Sequence, residues 1–388
     1  MKNYFLDSWR FRLYAQEKLF MEVRVNIKDV AKMAGVSIST ISRVINNSAF
    51  VSPDVKQRVE KILEETGYRP NALAKELQKN KTNTIGVILP RIDLGTFAVI
   101  FDGISAVLNA NGYNILLANT RDRFEEELRY LDLMHEKRVD GILYFATGMC
   151  EEHKRAISKL RMPVVIVGQP GDAVNCPAIF LDSFGASRAM VQYLVSLGHR
   201  RIGCLAVPDH DYNVGTQRRE GYLAALADNG IDADPSLIVT GDFEFESGAR
   251  GAQMLMEGNA AKGSGAPNGR PSAIFCITDR LAVAASGQLI RSGWKIPDDV
   301  SVACVDDPLL LRYCAPSVTT MSFDYTDMGI RAGNMIIDCI EKISSLRGGQ
   351  EAGTRAVQQN GPPQIALPFT MKIRESTGCT VARSGGKQ

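Results

Sequence analysis

Histidine and tryptophan are scarce in this chain, with four and two copies in 388 residues. The histidines, His135, His153, His199 and His210, are scattered. No zinc site is suggested by that spacing, and no metal or other cofactor is expected. The cysteines are Cys150, Cys176, Cys204, Cys276, Cys304, Cys314, Cys339 and Cys379, and no two stand in a C-x-x-C pair. Most sit in apolar runs such as Ile274-Phe275-Cys276-Ile277, so they read as small buried hydrophobes in a reducing compartment. No run of about 18 apolar residues occurs, so no membrane span is expected. Residues 1–24 mix Trp9, Phe11 and Tyr14 with charges and lack a continuous apolar stretch, which argues against a secretory leader. There is no G-x-G-x-x-G after a strand, no Walker loop and no nucleophile motif, so an enzyme is not expected.

The net charge is only +2, but it is unevenly spread. Between Val25 and Lys81 there are ten lysines and arginines against six acids. A local excess of that sign suits a polyanion partner. An internal Met21 stands just ahead of this segment. Residues 1–24 are therefore expected to be a disordered extension or to precede the true start of the protein.

Residues 25–69 read as three short helices. Asn26 is placed to cap the first, with Ile27, Val30, Ala31 and Ala34 at helical spacing. Ala34-Gly35-Val36 makes a tight break. Ser37 caps a second helix carrying Ile38, Ile41, Val44 and Ile45. Ser52-Pro53-Asp54 opens a third with a serine cap, proline at the first helical position and an acid in the first turn. Residues 70–83 follow as a connecting segment.

From Thr84 the rhythm changes to strand, loop, helix. Apolar strand-like runs are expected at Thr84–Pro90, Asn114–Ala118, Gly141–Phe145, Val164–Val167, Arg201–Ala206, Ala273–Ile277 and Val300–Val305. Amphipathic helical stretches lie between them, as at Arg123–Lys137, Ser187–Leu197 and Gln217–Asn229. The alternation predicts doubly wound parallel sheets in two lobes over residues 84–378, with a seam near Gly168–Pro170. Glu257–Pro271 reads as a surface insertion. Arg347–Gly361 reads as a flexible connection to a last strand around Ile365–Ile373. Residues 379–388 form a tail, disordered from Ser384.

The run Val25-Asn26-Ile27-Lys28-Asp29-Val30-Ala31-Lys32-Met33-Ala34-Gly35-Val36-Ser37-Ile38-Ser39-Thr40-Ile41-Ser42-Arg43-Val44-Ile45-Asn46 resembles the helix-turn-helix head of the LacI/GalR family. Tyr68-Arg69-Pro70-Asn71-Ala72-Leu73-Ala74-Lys75-Glu76-Leu77 resembles that family's hinge helix, with Lys75-Glu76 as a departure. In the body, Gly198-His199-Arg200-Arg201-Ile202, Arg218-Arg219-Glu220-Gly221-Tyr222, Pro297-Asp298-Asp299-Val300-Ser301-Val302 with Asp306-Asp307, and Arg374-Glu375-Ser376-Thr377 are similar to four further family motifs. The resemblance covers everything after about residue 25.

The resemblance implies a small all-α helix-turn-helix head on an α/β, periplasmic-binding-protein-like core of two doubly wound parallel-sheet lobes. It implies a cytoplasmic, nucleoid-associated repressor of carbohydrate-utilisation genes. Its partners are then a pseudo-palindromic operator DNA, a small sugar bound between the lobes, and a second copy of the chain. The tail after Ser376 has no apolar heptad, so a homodimer is expected and not a tetramer. The alternative is a catabolite-control regulator whose co-effector is a phosphorylated carrier protein.

The DNA-facing residues it implies are Asn26, Ser37, Ile38, Ser39, Thr40, Ser42, Arg43, Asn46, Tyr68, Asn71, Ala74 and Leu77. Ile38 and Ser39 stand where a recognition helix meets base edges, and Arg43 one turn on suits a guanine. Thr40, Ser42 and Asn46 suit phosphates. The effector-facing residues are Thr96, Phe97, Gln169, Arg218, Phe243, Asp279 and Phe323. Arg218 and Asp279 suit vicinal hydroxyls, and Phe97 and Phe243 suit a ring face. Leu94-Gly95-Thr96-Phe97 and Phe323 depart from the family's usual residues near the pocket. Asp182-Ser183-Phe184-Gly185-Ala186 and Asp211-Tyr212-Asn213-Val214-Gly215 resemble members that answer to sucrose or related fructosides.

Overall fold

The computed structural model describes residues 25–46, 50–68, 81–257, 269–347 and 361–380. The expectations for the N-terminal extension, for Asn71, Ala74 and Leu77, and for most of Glu257–Pro271 and Arg347–Gly361 lie outside these residues, as does that for the tail from Ser384. Two compact units meet at the Thr82–Asn83 boundary.

The first unit has three helices, α1 (Ile27–Ala34), α2 (Ile38–Asn46) and α3 (Pro53–Thr66). Asn26 caps α1 by accepting the Lys28 N–H at 2.8 Å and the Asp29 N–H at 3.2 Å, while Asp29 accepts the Asn26 N–H at 3.0 Å. That reciprocal box satisfies donors that a helix start otherwise leaves open. Gly35 ends α1 at φ +65°, in the left-handed region that favours glycine. Ser37 Oγ accepts the Thr40 N–H at 3.1 Å and so starts α2. Ser52 precedes α3 as expected, but its hydroxyl makes no capping bond; Pro53 at the first helical position has no N–H to leave open. Val30, Ala31, Ala34, Ile41, Val44 and Val59 form the buried core of this unit.

The second unit begins with β1 (Thr84–Leu89), α4 (Gly95–Ala110), β2 (Asn114–Asn119), α5 (Phe124–Glu136), β3 (Gly141–Phe145), α6 (Glu151–Ser158), β4 (Val164–Val167) and β5 (Ala178–Leu181). It continues through α7 (Ser183–Ser196), β6 (Ile202–Ala206), α8 (Arg218–Asp228), β7 (Ile238–Thr240), α9 (Phe245–Glu257), β8 (Ala273–Cys276), α10 (Asp279–Arg291) and β9 (Ser301–Val305). It closes with α11 (Leu310–Tyr313), β10 (Thr319–Phe323), α12 (Tyr325–Arg347), β11 (Gln364–Leu367) and β12 (Phe369–Lys372).

The strands form two six-stranded sheets, ordered β11-β5-β4-β3-β1-β2 and β12-β10-β9-β8-β6-β7. All pairs are parallel except β10 with β12. β3, β4, β6, β8 and β9 are buried along their whole lengths. Helices cover both faces of such strands, which is why they read as unbroken apolar runs. Cys204, Cys276 and Cys304 lie buried in this layer as small hydrophobes, whereas Cys150, Cys176, Cys314 and Cys339 are half-buried and Cys379 is exposed.

The lobe boundary differs from the expected Gly168–Pro170. After β4 the chain makes a turn and adds β5 to the same sheet; it passes to the second lobe only at Asp182, ahead of α7. It returns between β10 and α12, and crosses again at Pro368, between β11 and β12. The expected last strand is thus two strands in different sheets. Proline has no N–H for a sheet ladder, so it separates them. α12 lies along α4, where Gly329 comes so close that a Cβ would stand 2.1 Å from the Ile100 carbonyl oxygen.

Candidate nucleic-acid interface and effector cleft

In the head, Ile41 and Val44 anchor α2 to the core, and helical periodicity turns Ser39, Arg43 and Asn46 outward, all three exposed. Ile38 is 43% exposed, so it does not pack against the turn. Ser37, Ser39 and Thr40 form a hydroxyl cluster at the N-terminal end of α2, with Oγ–Oγ separations of 2.7 and 2.8 Å from Ser37. Asn46 Nδ2 donates to the Ser42 carbonyl at 2.9 Å. Lys56 and Lys61 are paired along α3 with Glu60 and Glu65. Lys28, Lys32, Arg43 and Arg58 make no ion pair among the described residues. Asn26 is engaged in capping, and Tyr68 packs against the head core.

In the core, a cleft lies between the lobes. It opens about 970 Å³ of non-atom space, its solvent-continuous mouth included. Thr96, Phe97, Phe145, Thr147 and Gly168 line it from the first lobe; Asp211, Val214, Arg218, Phe243, Thr278, Asp279 and Asp306 line it from the second, with Tyr325 at the start of α12. Phe97 meets Phe145 edge-on at 5.7 Å between centroids.

Arg218 is 1% exposed. Its Nη1 and Nη2 donate to Asp306 Oδ2 and Oδ1 at 2.8 and 3.0 Å, and Nη1 also donates to the Ile277 carbonyl at 2.6 Å. Burial disfavours its charge, but the Asp306 carboxylate outweighs that and raises the guanidinium's pKa further. Tyr325 Oη donates to Asp306 as well. Asp279 is pushed up to about 6 by burial and by the neighbouring Asp306. Asp211 is also pushed up to about 6, chiefly by burial, although its Oδ1 accepts the Val214 N–H at 2.8 Å. Among the described residues these two carboxyls make no ion pair, and they suit a ligand that brings hydroxyl donors.

Four charges stand across the mouth. Arg91 of the first lobe reaches Glu244 of the second at 2.6 Å, and Arg280 of the second reaches Asp93 of the first at 3.1 Å. Arg91 also pairs with Asp93 at 3.0 Å, which lowers that carboxyl to about 2.

Of the seven residues expected to face the effector, the cleft brings together Thr96, Phe97, Arg218, Phe243 and Asp279. Gln169 and Phe323 are not among its lining residues. Gln169 is 5% exposed, and its Nε2 has no partner among the described residues. Phe323 is 6% exposed and packs between Tyr325 and Phe369. Sequence reasoning assigned no site role to Asp306, Asp211, Arg91, Phe145 or Tyr325. The first two stood in quoted motifs, but the other three carried no local signal.

The remaining motifs serve the frame. His199 Nε2 lies 3.1 Å from both the Ser301 hydroxyl and the Gly378 carbonyl, so G-H-x-x-I ties the C-terminal strap to the second sheet. Arg374 donates to Asp307 at 2.6 Å, and Ser376 accepts the Thr319 N–H at 2.8 Å, for the same end.

Comparison with known proteins matches residues 26–71 to the bacterial regulatory proteins of the lacI family and residues 191–377 to a periplasmic binding protein-like domain. The chain is 32% identical to the HTH-type transcriptional repressor CytR of Escherichia coli K12 over 82% of its own length and 90% of the relative's. It is 31% identical to catabolite control protein A of Priestia megaterium over 92% of its own length and all of the relative's. Among solved structures, the complex of the transcriptional regulator CelR with cellobiose superposes with a TM-score of 0.64 at 26% identity, over 91% of this chain and all of that one.

Proposed function

This chain belongs to the lacI family of bacterial regulatory proteins, and on that footing we propose that a small, neutral, hydroxyl-rich sugar held between its lobes sets its affinity for operator DNA. It is a DNA-binding transcriptional repressor. The observation that carries the sugar reading is the cleft: aromatic faces from both lobes, with two carboxyls that make no ion pair among the described residues and a fixed Arg218–Asp306 pair between them.

In this reading Phe97 and Phe243 take the ring faces, and Asp279 and Asp211 accept from hydroxyls. Arg218 holds Asp306 and offers its remaining Nη2 donor. Ile38, Ser39 and Arg43 read base edges, while Ser37, Thr40, Ser42 and Asn46 meet phosphates. Two chains pair through the core, so their heads meet the half-sites of a pseudo-palindrome. Sugar binds one lobe closure better than the other and shifts the population between operator-binding states. The genes controlled are those for using that sugar.

Fluorescence anisotropy on DNA from upstream of the protein's own gene, titrated with sucrose, fructose and cellobiose, tests this. Release or tightening by one sugar supports the reading. Tight binding indifferent to every sugar rejects it, and points to a phosphorylated carrier protein as co-effector.

A further inference from the structure

The loop leaving β3 carries an arrangement that sugar binding does not use. Cys150 directly precedes α6, and His153 lies in its first turn. Cys150 Sγ lies 3.3 Å from His153 Nδ1, and the Cys150 N–H donates to the same nitrogen at 3.4 Å. A ring nitrogen that accepts from an N–H carries no proton, so the neutral imidazole holds its proton on Nε2. Nε2 lies 2.9 Å from Glu127 Oε2. The N–H direction misses that oxygen, so the attraction is electrostatic. Glu127 is itself held by the Tyr144 hydroxyl and by Thr147 Oγ1, the latter at 3.1 Å. Glu127 and His153 are 2% and 3% exposed. Phe124 braces the imidazole edge-on at 4.8 Å between centroids. A thiol and a base thus stand within hydrogen-bond reach, with a buried carboxylate facing the far ring nitrogen.

The thiol is accessible. Cys150 is half-buried and lines a cavity with Phe124 and Met149 of the first lobe and His210 of the second. Asp122 borders the same cavity, and the thiol also hydrogen-bonds to the exposed Glu152 carboxylate. The other cysteines differ. Burial pushes the thiols of Cys176, Cys204, Cys276, Cys304, Cys314 and Cys339 up. Cys379 is exposed.

We propose that Cys150 is a covalent modification site for small uncharged α,β-unsaturated carbonyl compounds. His153 Nδ1 takes the thiol proton, and sulfur forms a bond to the β-carbon. The electron pair of the double bond moves to the α-carbon, which takes the proton back from the imidazolium. Nothing leaves, and no oxidant or reductant is needed. The aromatic and thioether walls of Phe124 and Met149, with the Asp122 and Glu127 carboxyls beside them, favour an uncharged molecule over an anion.

The full-length protein is treated with limiting N-ethylmaleimide, and each cysteine is followed by peptide mass spectrometry, with Cys379 as the internal clock. Cys150 is expected to react at least about tenfold faster than Cys379. His153→Gln brings the two rates together without changing that of Cys379, and Glu127→Gln narrows the gap. Equal rates in the wild type overturn the proposal, as does a gap that survives His153→Gln in a folded protein. If that variant does not fold, the wild-type ratio and Cys150→Ser decide: a fast adduct that persists without Cys150 refutes the assignment.

Discussion

A buried arginine keeps its charge only when its donors are met, and Arg218 meets three of them with one carboxylate and one carbonyl. Arg218→Met leaves the Asp306 carboxyl without its cationic partner, a change that costs about 3–5 kcal/mol. Chemical denaturation reads this directly, and a loss below about 1 kcal/mol shows that water replaces the arginine. Asp211 presents the opposite case. Its carboxyl titrates near 6 in the fold against the ordinary value of 3.8. Between these values the folded protein keeps a proton that the unfolded chain has released, so the group's contribution to stability falls as pH rises from about 4 to about 6. Asp211→Asn keeps an acceptor for Val214 and abolishes that dependence. The variant should be more stable than wild type at pH 8 by up to about 3 kcal/mol, and gain nothing at pH 4. Paired thermal melts across pH check the sign. In the head, Arg43→Ala should weaken operator binding by about 1–3 kcal/mol if the side chain reads a guanine. An equal loss on random DNA reassigns it to a phosphate.

At the level of elements, helices were easier to read than strands. Asn26, Gly35 and Ser37 mark the limits of α1 and α2 because caps are local chemistry, and the side chains that satisfy them stand within three residues. β5, β7 and β10 were not anticipated. β7 has only three residues, and β10 carries two threonines and a serine, so neither makes an apolar run of the kind that marks β3 and β4. Without β5 the lobe boundary fell too early in the chain. The cleft was partly legible for a related reason. Arg218, Asp279, Phe97 and Phe243 came from likeness to a family, whereas Tyr325 and Arg91 are placed by long-range packing that leaves no local trace. Phe323 shows the converse: it ends β10 with its ring packed between Tyr325 and Phe369, while Tyr325, which begins α12, reaches the cleft. The seam between α4 and α12 tolerates little. Gly329→Ala drives a methyl into the Ile100 carbonyl. It should cost about 1–3 kcal/mol and broaden the unfolding transition. A wild-type melting curve would show that the helices separate freely.

For the whole molecule, closure of the lobes is held in part by Arg91, Asp93, Glu244 and Arg280. The two acids are 44–52% exposed, so each pair contributes no more than about 1 kcal/mol. That is enough to tune a balance between open and closed forms, and too little to lock it. Glu244→Gln should enlarge the radius of gyration seen by small-angle scattering at low salt, and the difference from wild type should shrink in high salt. Scattering curves that coincide at both ionic strengths show that closure rests on the cleft walls alone. Linkage carries the same economy to the effector: whatever factor it imposes on operator affinity, operator imposes on it.

The chain's repeated passage between the lobes also bears on how the protein is made. The first sheet is begun by β1, yet its outer strand is β11, and α12 covers β3, β4 and β5 only after the whole second sheet but one strand has been specified. During synthesis from the N-terminus, the lobe begun first waits for β11, almost at the end of the core, and the second lobe for β12 just after it. β5 keeps an unpaired edge, and one face of the sheet stays bare, until nearly all of the core has left the ribosome.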